Sequence, residues 1–187
     1  MTWTVSNDCL SPTPSARQHI FFTVALAERS RTIFVDNIDL LRESIRQVKS
    51  VHPFQIVAMV VLPDHLHSIW TLPSDDCDYS TRWRQIKSGF SRALPPSEHI
   101  SASRKAKQER GIWQRRFWEH TVRDEADLSR CADYIHFNPV KHGLANKVSA
   151  WPYSTFHRFV EQGMYSVDWA GDASVTGSEF DGYDGFR

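Results

Sequence analysis

The sequence predicts an α+β fold built on a ferredoxin-like antiparallel sheet with helices packed mainly on one face. Three observations carry this reading. Branched and aromatic runs alternate with stretches of helical spacing in the order strand, helix, strand, strand, helix, strand, helix, which is a split βαβ arrangement. Two of the strand-like runs are separated only by Pro63 and Asp64, the spacing of a tight hairpin. With 41% hydrophobic residues in 187, the chain can bury one ordinary core, so a single domain over residues 1–170 is expected.

His19 to Leu26 (HIFFTVAL) is rich in aromatic and branched residues and reads as the first strand. Asp36 can cap a helix to about Val48, because Ile38, Leu41, Ile45 and Val48 recur at helical spacing. Phe54 to Leu62 is almost continuously apolar, as a central strand covered on both faces would be. His65 to Leu72 alternates and forms its antiparallel partner. A second helix is expected from about Tyr79 to Leu94, then a mobile basic loop over residues 95–111. Ile112 to Val122 returns to an aromatic strand. Asp124 can cap a third helix that ends at Asn138, since Pro139 disfavours helical geometry in the residue before it. Trp151 to Gly163 adds a last helix, and residues 171–187 form an acidic, glycine-rich, flexible tail.

Net charge is zero, but its distribution is uneven. Between Arg82 and Arg123 eleven Lys and Arg face only Glu98, Glu109 and Glu119, whereas acids dominate after Glu161. A basic middle points to an anionic partner, and an acidic tail to a segment able to compete for the same surface. Solvated faces of no special purpose would give the same pattern. Cys9, Cys77 and Cys131 are odd in number and far apart, which fits reduced thiols in the cytoplasm. No leader or membrane span is expected, because no apolar run is long enough.

The chemistry concentrates in two places. On a strand, His65 and His67 project to the same face, about one pleat repeat apart, and make a two-ligand metal clip. Taken alone, His-Leu-His equally describes two histidines closing a polar strand edge with hydrogen bonds. On the third helix, Leu128, Cys131, Ala132 and Ile135 form an apolar stripe, and Tyr134 and Asn138 lie one turn apart on its flank. An Asn138 amide oxygen would complete a His, His, Asn set suited to Mg²⁺ or Mn²⁺, with the Tyr134 phenol beside it. The alternative makes Tyr134 a rim-of-core aromatic and Asn138 a helix cap.

Three ordered segments carry a family resemblance. Leu62-Pro63-Asp64-His65-Leu66-His67, Trp113-Gln114-Arg115-Arg116-Phe117-Trp118-Glu119-His120 and Asp133-Tyr134-Ile135-His136-Phe137-Asn138-Pro139-Val140-Lys141-His142-Gly143 resemble the signature segments of REP-associated tyrosine transposases. These belong to the HUH single-strand DNA endonucleases, and the likeness runs in order from about His19 to Trp169. It implies the HUH endonuclease fold, His65 and His67 as the paired histidines, Tyr134 as nucleophile and Asn138 as a third ligand. It also implies a palindromic repeat hairpin as substrate and a 5′-phosphotyrosine intermediate. On this reading Arg82, Arg84, Arg115 and Arg116 meet phosphates, and Trp83 and Trp113, with Phe117 and Trp118, stack on bases. Alternate residues of the strand from Trp113 must face the core, so the arginines are expected to be exposed more than the tryptophans. The expected partner is single-stranded or hairpin DNA, met by a monomer in the cytoplasm at the nucleoid. A hairpin-binding protein that never cuts keeps the same fold and basic strip. A metal oxidoreductase lacks an evident carboxylate beside the histidines.

Overall fold

The structure is a computed structural model, and it describes residues 18–96, 100–107 and 109–171. Four strands form one sheet: β1 (His19–Ala25), β2 (Gln55–Val61), β3 (His65–Thr71) and β4 (Trp118–Thr121). Every neighbouring pair is antiparallel, in the order β2-β3-β1-β4. The connections from β1 to β2 and from β3 to β4 each step over one strand, so each needs a crossover. The first holds α1 (Ile33–Asp36) and α2 (Ile38–Val51), the second α3 (Tyr79–Ala93) and α4 (Ala102–Ala106). After β4 come α5 (Glu125–Lys141), a 3₁₀ turn (Val148–Ala150) and α6 (Phe156–Glu161). This is the α+β, ferredoxin-like order that the sequence predicts.

Strand alternation divides the buried side chains into two layers. Ile20, Phe22 and Val24 of β1, with Leu66 and Trp70 of β3, pack under α2 and α3 against Leu41, Ile45, Trp83, Ile86 and Phe90. Phe21, Ala58, Val60 and Ile69 face the other way, against Cys131, Ala132, Tyr134 and Ile135 of α5 and Phe159 of α6. The helices therefore cover both faces, which corrects the expectation that they lie mainly on one. The two crossover helices do share a face. The helix that follows β4 has no strand to return to and takes the face they leave open.

Several boundaries move for local reasons. The apolar β2 is an edge strand, not a central one. Its outer rim is covered by irregular chain: Val61 N donates to Tyr153 O at 2.9 Å and Thr155 N to Met59 O at 2.9 Å. The expected strand from Ile112 to Val122 is regular only over β4, and its earlier part meets Leu26, the residue after β1, through an isolated bridge from Trp113. Asp36 ends α1, and Asn37, not Asp36, precedes α2. Pro139 lies inside α5, which continues to Lys141. A proline this near the end forfeits one hydrogen bond, and the buried ring of Pro139 and the Leu144 N to Pro139 O bond of 2.8 Å hold the terminus. The stretch expected as a basic loop contains α4, with residues 97–99 and 108 outside the described residues. Of the last predicted helix, Trp151 to Gly163, only α6 is helical, and the 3₁₀ turn lies just before its expected start. Beyond Gly171 the acidic tail lies outside the described residues, as does Cys9. No described helix is long and apolar enough to cross a membrane.

Candidate active site

The β2–β3 hairpin presents His65 at the start of its second strand. Leu62 N donates to His65 O at 2.8 Å, Leu26 N to Asp64 O at 2.8 Å and Phe34 N to Pro63 O at 3.2 Å, so the turn is pinned to both β1 and α1. In the β1–β3 register Ala25 stands opposite His65 and Thr23 opposite His67. Both imidazoles point to the α5 face, where their ring centres are 5.0 Å apart. That face is buried, with His65 and His67 almost fully covered.

Each imidazole is oriented by its Nδ1 edge. His65 Nδ1 lies 2.8 Å from Asp64 Oδ1, and Asp64 is also ion-paired with Arg29. Burial alone would raise the Asp64 carboxyl, but His65 and Arg29 outweigh it and hold it at about 2. The carboxylate therefore accepts from Nδ1–H and directs the lone pair of Nε2 outward, the arrangement found behind metal-bound histidines. His67 Nδ1 lies 2.9 Å from Thr23 Oγ1. Burial also lowers the proton affinity of His65, opposed by Asp64 and aided by Arg29 and His142, which keeps it a neutral donor.

From the opposite side, α5 brings Tyr134 to this pair. Its ring centre is 5.2 Å from that of His67 and 6.1 Å from that of Phe21, and the side chain is 0% exposed. Lys141 Nζ sits 4.9 Å from the Tyr134 ring centre. Asn138, one turn after Tyr134, is fully buried. Neither Asn138 Oδ1 nor Nδ2, nor His65 Nε2, has a hydrogen-bond partner among the described residues. A buried polar atom left unmade costs roughly 1–3 kcal/mol, and of these atoms His65 Nε2 and Asn138 Oδ1 carry lone pairs that fit a divalent cation.

Sequence reasoning missed the supporting residues. Asp64, Thr23 and Arg29 orient the histidines, His142 comes within 5.1 Å of His65 between ring centres, and Lys141 lies over the tyrosine. Asp64, Lys141 and His142 stand inside the signature segments, so their positions were visible though their roles were not. Thr23 and Arg29 come close only through strand pairing and turn geometry.

The predicted DNA contacts divide. Arg84 and Arg116 are exposed, and Arg115 is exposed with its Nε 2.9 Å from Glu109. Three others require correction, because they lie inside the protein. Arg82 is 2% exposed and is consumed by the fold, donating to Asp76 Oδ2 at 2.6 Å and to Pro53 O at 2.9 Å. Trp83 is 1% exposed and stacks on Trp70 with ring centres 4.2 Å apart. Trp113 is 8% exposed, against Phe34 and Phe90, with Nε1 donating to Ser91 Oγ at 2.9 Å. Phe117 packs half-buried on the crossover-helix side. Half-buried Trp118 is the aromatic beside the candidate site, since its β1 partner is Thr23.

A second group, His120, Asp127 and Cys131, has ligand atoms within 4.8 Å of one another. It suits a cation poorly. Asp127 already accepts from Arg123 Nε at 3.3 Å and Arg130 Nη2 at 3.2 Å, so two guanidiniums oppose a further positive charge. Burial, with the Asp127 charge, pushes the Cys131 thiol up to about 12, which keeps it protonated and a weak ligand.

The four-stranded antiparallel sheet thus carries paired histidines on an inner strand and faces them with a tyrosine from the helix after the last strand. The model of the family described as "Transposase IS200 like" matches residues 15–138. A REP-associated tyrosine transposase from Escherichia coli strain K12 is 47% identical over 154 residues, spanning 82% of this chain and 86% of that one. A candidate member of the same group from Haemophilus influenzae is 43% identical, over 83% of this chain and 89% of its own. A solved structure of a REP-associated tyrosine transposase bound to a REP hairpin superposes with a TM-score of 0.73 at 44% identity, covering 90% of this chain and 94% of that chain. The chain belongs to this family, among the REP-associated tyrosine transposases.

Proposed function

We propose that the protein is a metal-dependent endonuclease and strand transferase that cuts single-stranded DNA beside a REP hairpin. Tyr134 is its nucleophile, and His65, His67 and Asn138 hold Mg²⁺ or Mn²⁺. The observation that carries the reading is the approach of the Tyr134 and His67 rings to 5.2 Å, from a helix and a strand far apart in sequence. The hairpin substrate is inferred from the relative bound to one.

In the reaction the Tyr134 phenol oxygen attacks phosphorus and the bond to the 3′ oxygen breaks. The proton lost by the phenol is balanced by the one gained at the new 3′-hydroxyl, and a 5′-phosphotyrosine remains. When bound, the divalent ion draws charge from the phosphoryl oxygens and fixes the line of attack. Near neutral pH only about one free phenol in a thousand is ionised, so the Lys141 ammonium beside the ring supplies useful positive charge. Because the phosphotyrosine conserves the bond energy, a 3′-hydroxyl of another strand can reverse the step without ATP.

The complete burial of Tyr134 favours one second reading, a hairpin-binding protein that never cuts, with the tyrosine a core aromatic. Cutting requires the side chains over the phenol to part when DNA enters. Incubation of a labelled single-stranded hairpin with protein and Mn²⁺, followed by denaturing electrophoresis, separates the two. Wild type is expected to yield a covalent adduct, Tyr134→Phe none, and His65→Ala less by a factor of about a hundred or more. Hairpin binding without an adduct would select the second reading, and an undiminished adduct in Tyr134→Phe would place the nucleophile elsewhere.

A further inference from the structure

A basic cavity lies apart from the histidine and tyrosine cluster. It has a volume of about 430 Å³ and opens between the second half of α3 and the chain that runs from α4 to Gln114. Lys87, Arg92, Arg104, Arg110 and Arg115 line it, with Glu109 as the single acid among the described residues. Glu109 is engaged by Arg115. Lys87 Nζ donates to Gln114 O at 3.2 Å, Arg104 Nη1 to Trp113 O at 3.2 Å and Arg92 Nη1 to Ser88 Oγ at 2.8 Å. These acceptors are neutral. They hold these three side chains in place without neutralising them, and Glu109 offsets only part of their charge, so the cavity is a pre-organised anion site.

Lys87 is the telling member. Its ammonium is largely buried, 5.6 Å from the Trp113 ring centre and 5.5 Å from that of Phe117, and burial lowers its pKa to about 8. Holding a charged lysine there without a carboxylate costs stability, and an anion entering the cavity would relieve that cost. The wall of the cavity is also tied to the active-site end of the sheet. Gln114 N donates to Ala25 O at 2.9 Å, and Ala25 stands opposite His65 in the β1–β3 register. Two strand spacings, roughly 10 Å, therefore separate the Gln114 backbone from that of His65.

We propose that this cavity holds a backbone phosphate of the substrate strand, a few nucleotides from the phosphate that Tyr134 attacks. The proposal rests on the single-stranded DNA reading of the active site, and it assigns Lys87, Arg92 and Arg104 a role in positioning that strand.

The test uses single-stranded oligonucleotides carrying a REP hairpin, each with one uncharged methylphosphonate linkage moved stepwise from the cleavage position. Binding is read by fluorescence anisotropy on a Tyr134→Phe background, to keep the DNA intact. One linkage outside the cleavage position is expected to weaken binding about tenfold in the parent and to have no further effect in Arg104→Gln or in the more exposed Arg92→Gln. Each of these variants should lower the salt slope of binding by about 0.7, the value for one single-strand phosphate contact. Thermal midpoints close to the parent's identify the variants that report on binding. Adduct formation by the Tyr134-containing protein is measured in parallel. An adduct with no coupled linkage overturns the cavity proposal alone, and a coupled linkage without an adduct overturns the cutting reaction and leaves the cavity standing. Calorimetric binding of inorganic phosphate at the cavity with no coupled linkage would assign it to a free anion and also overturn the proposal.

Discussion

At the scale of single residues, the proposed site rests on groups that support the histidines without being candidate ligands themselves. Asp64 and Thr23 each hold the Nδ1 edge of one histidine, and losing such an orienting partner typically lowers metal affinity 10- to 100-fold. Asp64→Asn and Thr23→Val are therefore expected to raise the Mn²⁺ concentration needed for half-maximal adduct by about that factor, with the yield recovering at saturation. A yield that stays low at every Mn²⁺ concentration would mean that these residues act on something other than the ion. Asp127 is different, because its role is structural. Burial by itself would raise its carboxyl, but bonds from Arg123 and His120 hold it far below the usual carboxylate range. The folded state thus binds this proton less readily than the unfolded chain. Its stabilisation is complete above the ordinary carboxylate pKa, near 4, and is lost as the pH falls below it. Asp127→Asn should cost about 1–2 kcal/mol in urea unfolding at pH 7 and distinctly less at pH 3, since there the unfolded wild-type chain takes up a proton that the folded carboxylate does not. An equal difference at the two pH values would remove the charge from the explanation.

At the scale of elements, the edge of β2 shows what a run of apolar residues can and cannot announce. The continuous apolar sequence of β2 reads as a strand covered on both faces, and it is covered, yet it lies at the rim of the sheet. The missing neighbour is replaced by Tyr153 to Thr155, a segment with no strand pattern. Thr155 Oγ1 accepts from Met59 N at 2.8 Å and also lies 3.0 Å from His136 Nε2 on α5, so one hydroxyl joins the edge strand to the helix that carries Tyr134. Thr155→Val leaves the half-buried Met59 amide and the buried His136 ring short of a partner. A loss of about 1–3 kcal/mol in stability is expected. Faster hydrogen exchange should appear at Met59 and at the amides of α5 around Tyr134, where exchange confined to Met59 would show that the hydroxyl does not couple the two elements. Element types were legible because alternation and helical spacing are local properties. Their ends were less so: Pro139 stays helical because the turn after it supplies replacement bonds, and that depends on Leu144.

At the scale of the whole molecule, the division into two layers decides which residues can meet DNA, and composition does not report it. The pair His65 and His67, and Tyr134 with Asn138, could be placed because strand alternation and helix turns fix relative faces within one element. The exposure of Arg82 and Trp83 could not, because it depends on the loop before β2 and on Trp70 of β3, neither of which a reading of α3 contains. A basic, aromatic segment looks like a nucleic-acid surface in sequence even when half of it is core. The two roles separate by experiment. Trp83→Ala removes a buried ring stacked on Trp70 and is expected to cost about 3–5 kcal/mol of stability, with hairpin affinity falling only as the folded fraction falls. Arg84→Ala and Arg116→Ala, both at exposed positions, should leave the thermal midpoint within about 1 °C, since surface changes usually stay near zero. If these arginines meet phosphates, the same variants weaken hairpin binding and flatten its salt dependence. Unchanged affinity and salt slope in both would move the DNA path off this flank of the molecule and toward Trp118, the half-buried aromatic that shares the face of His67 and Tyr134.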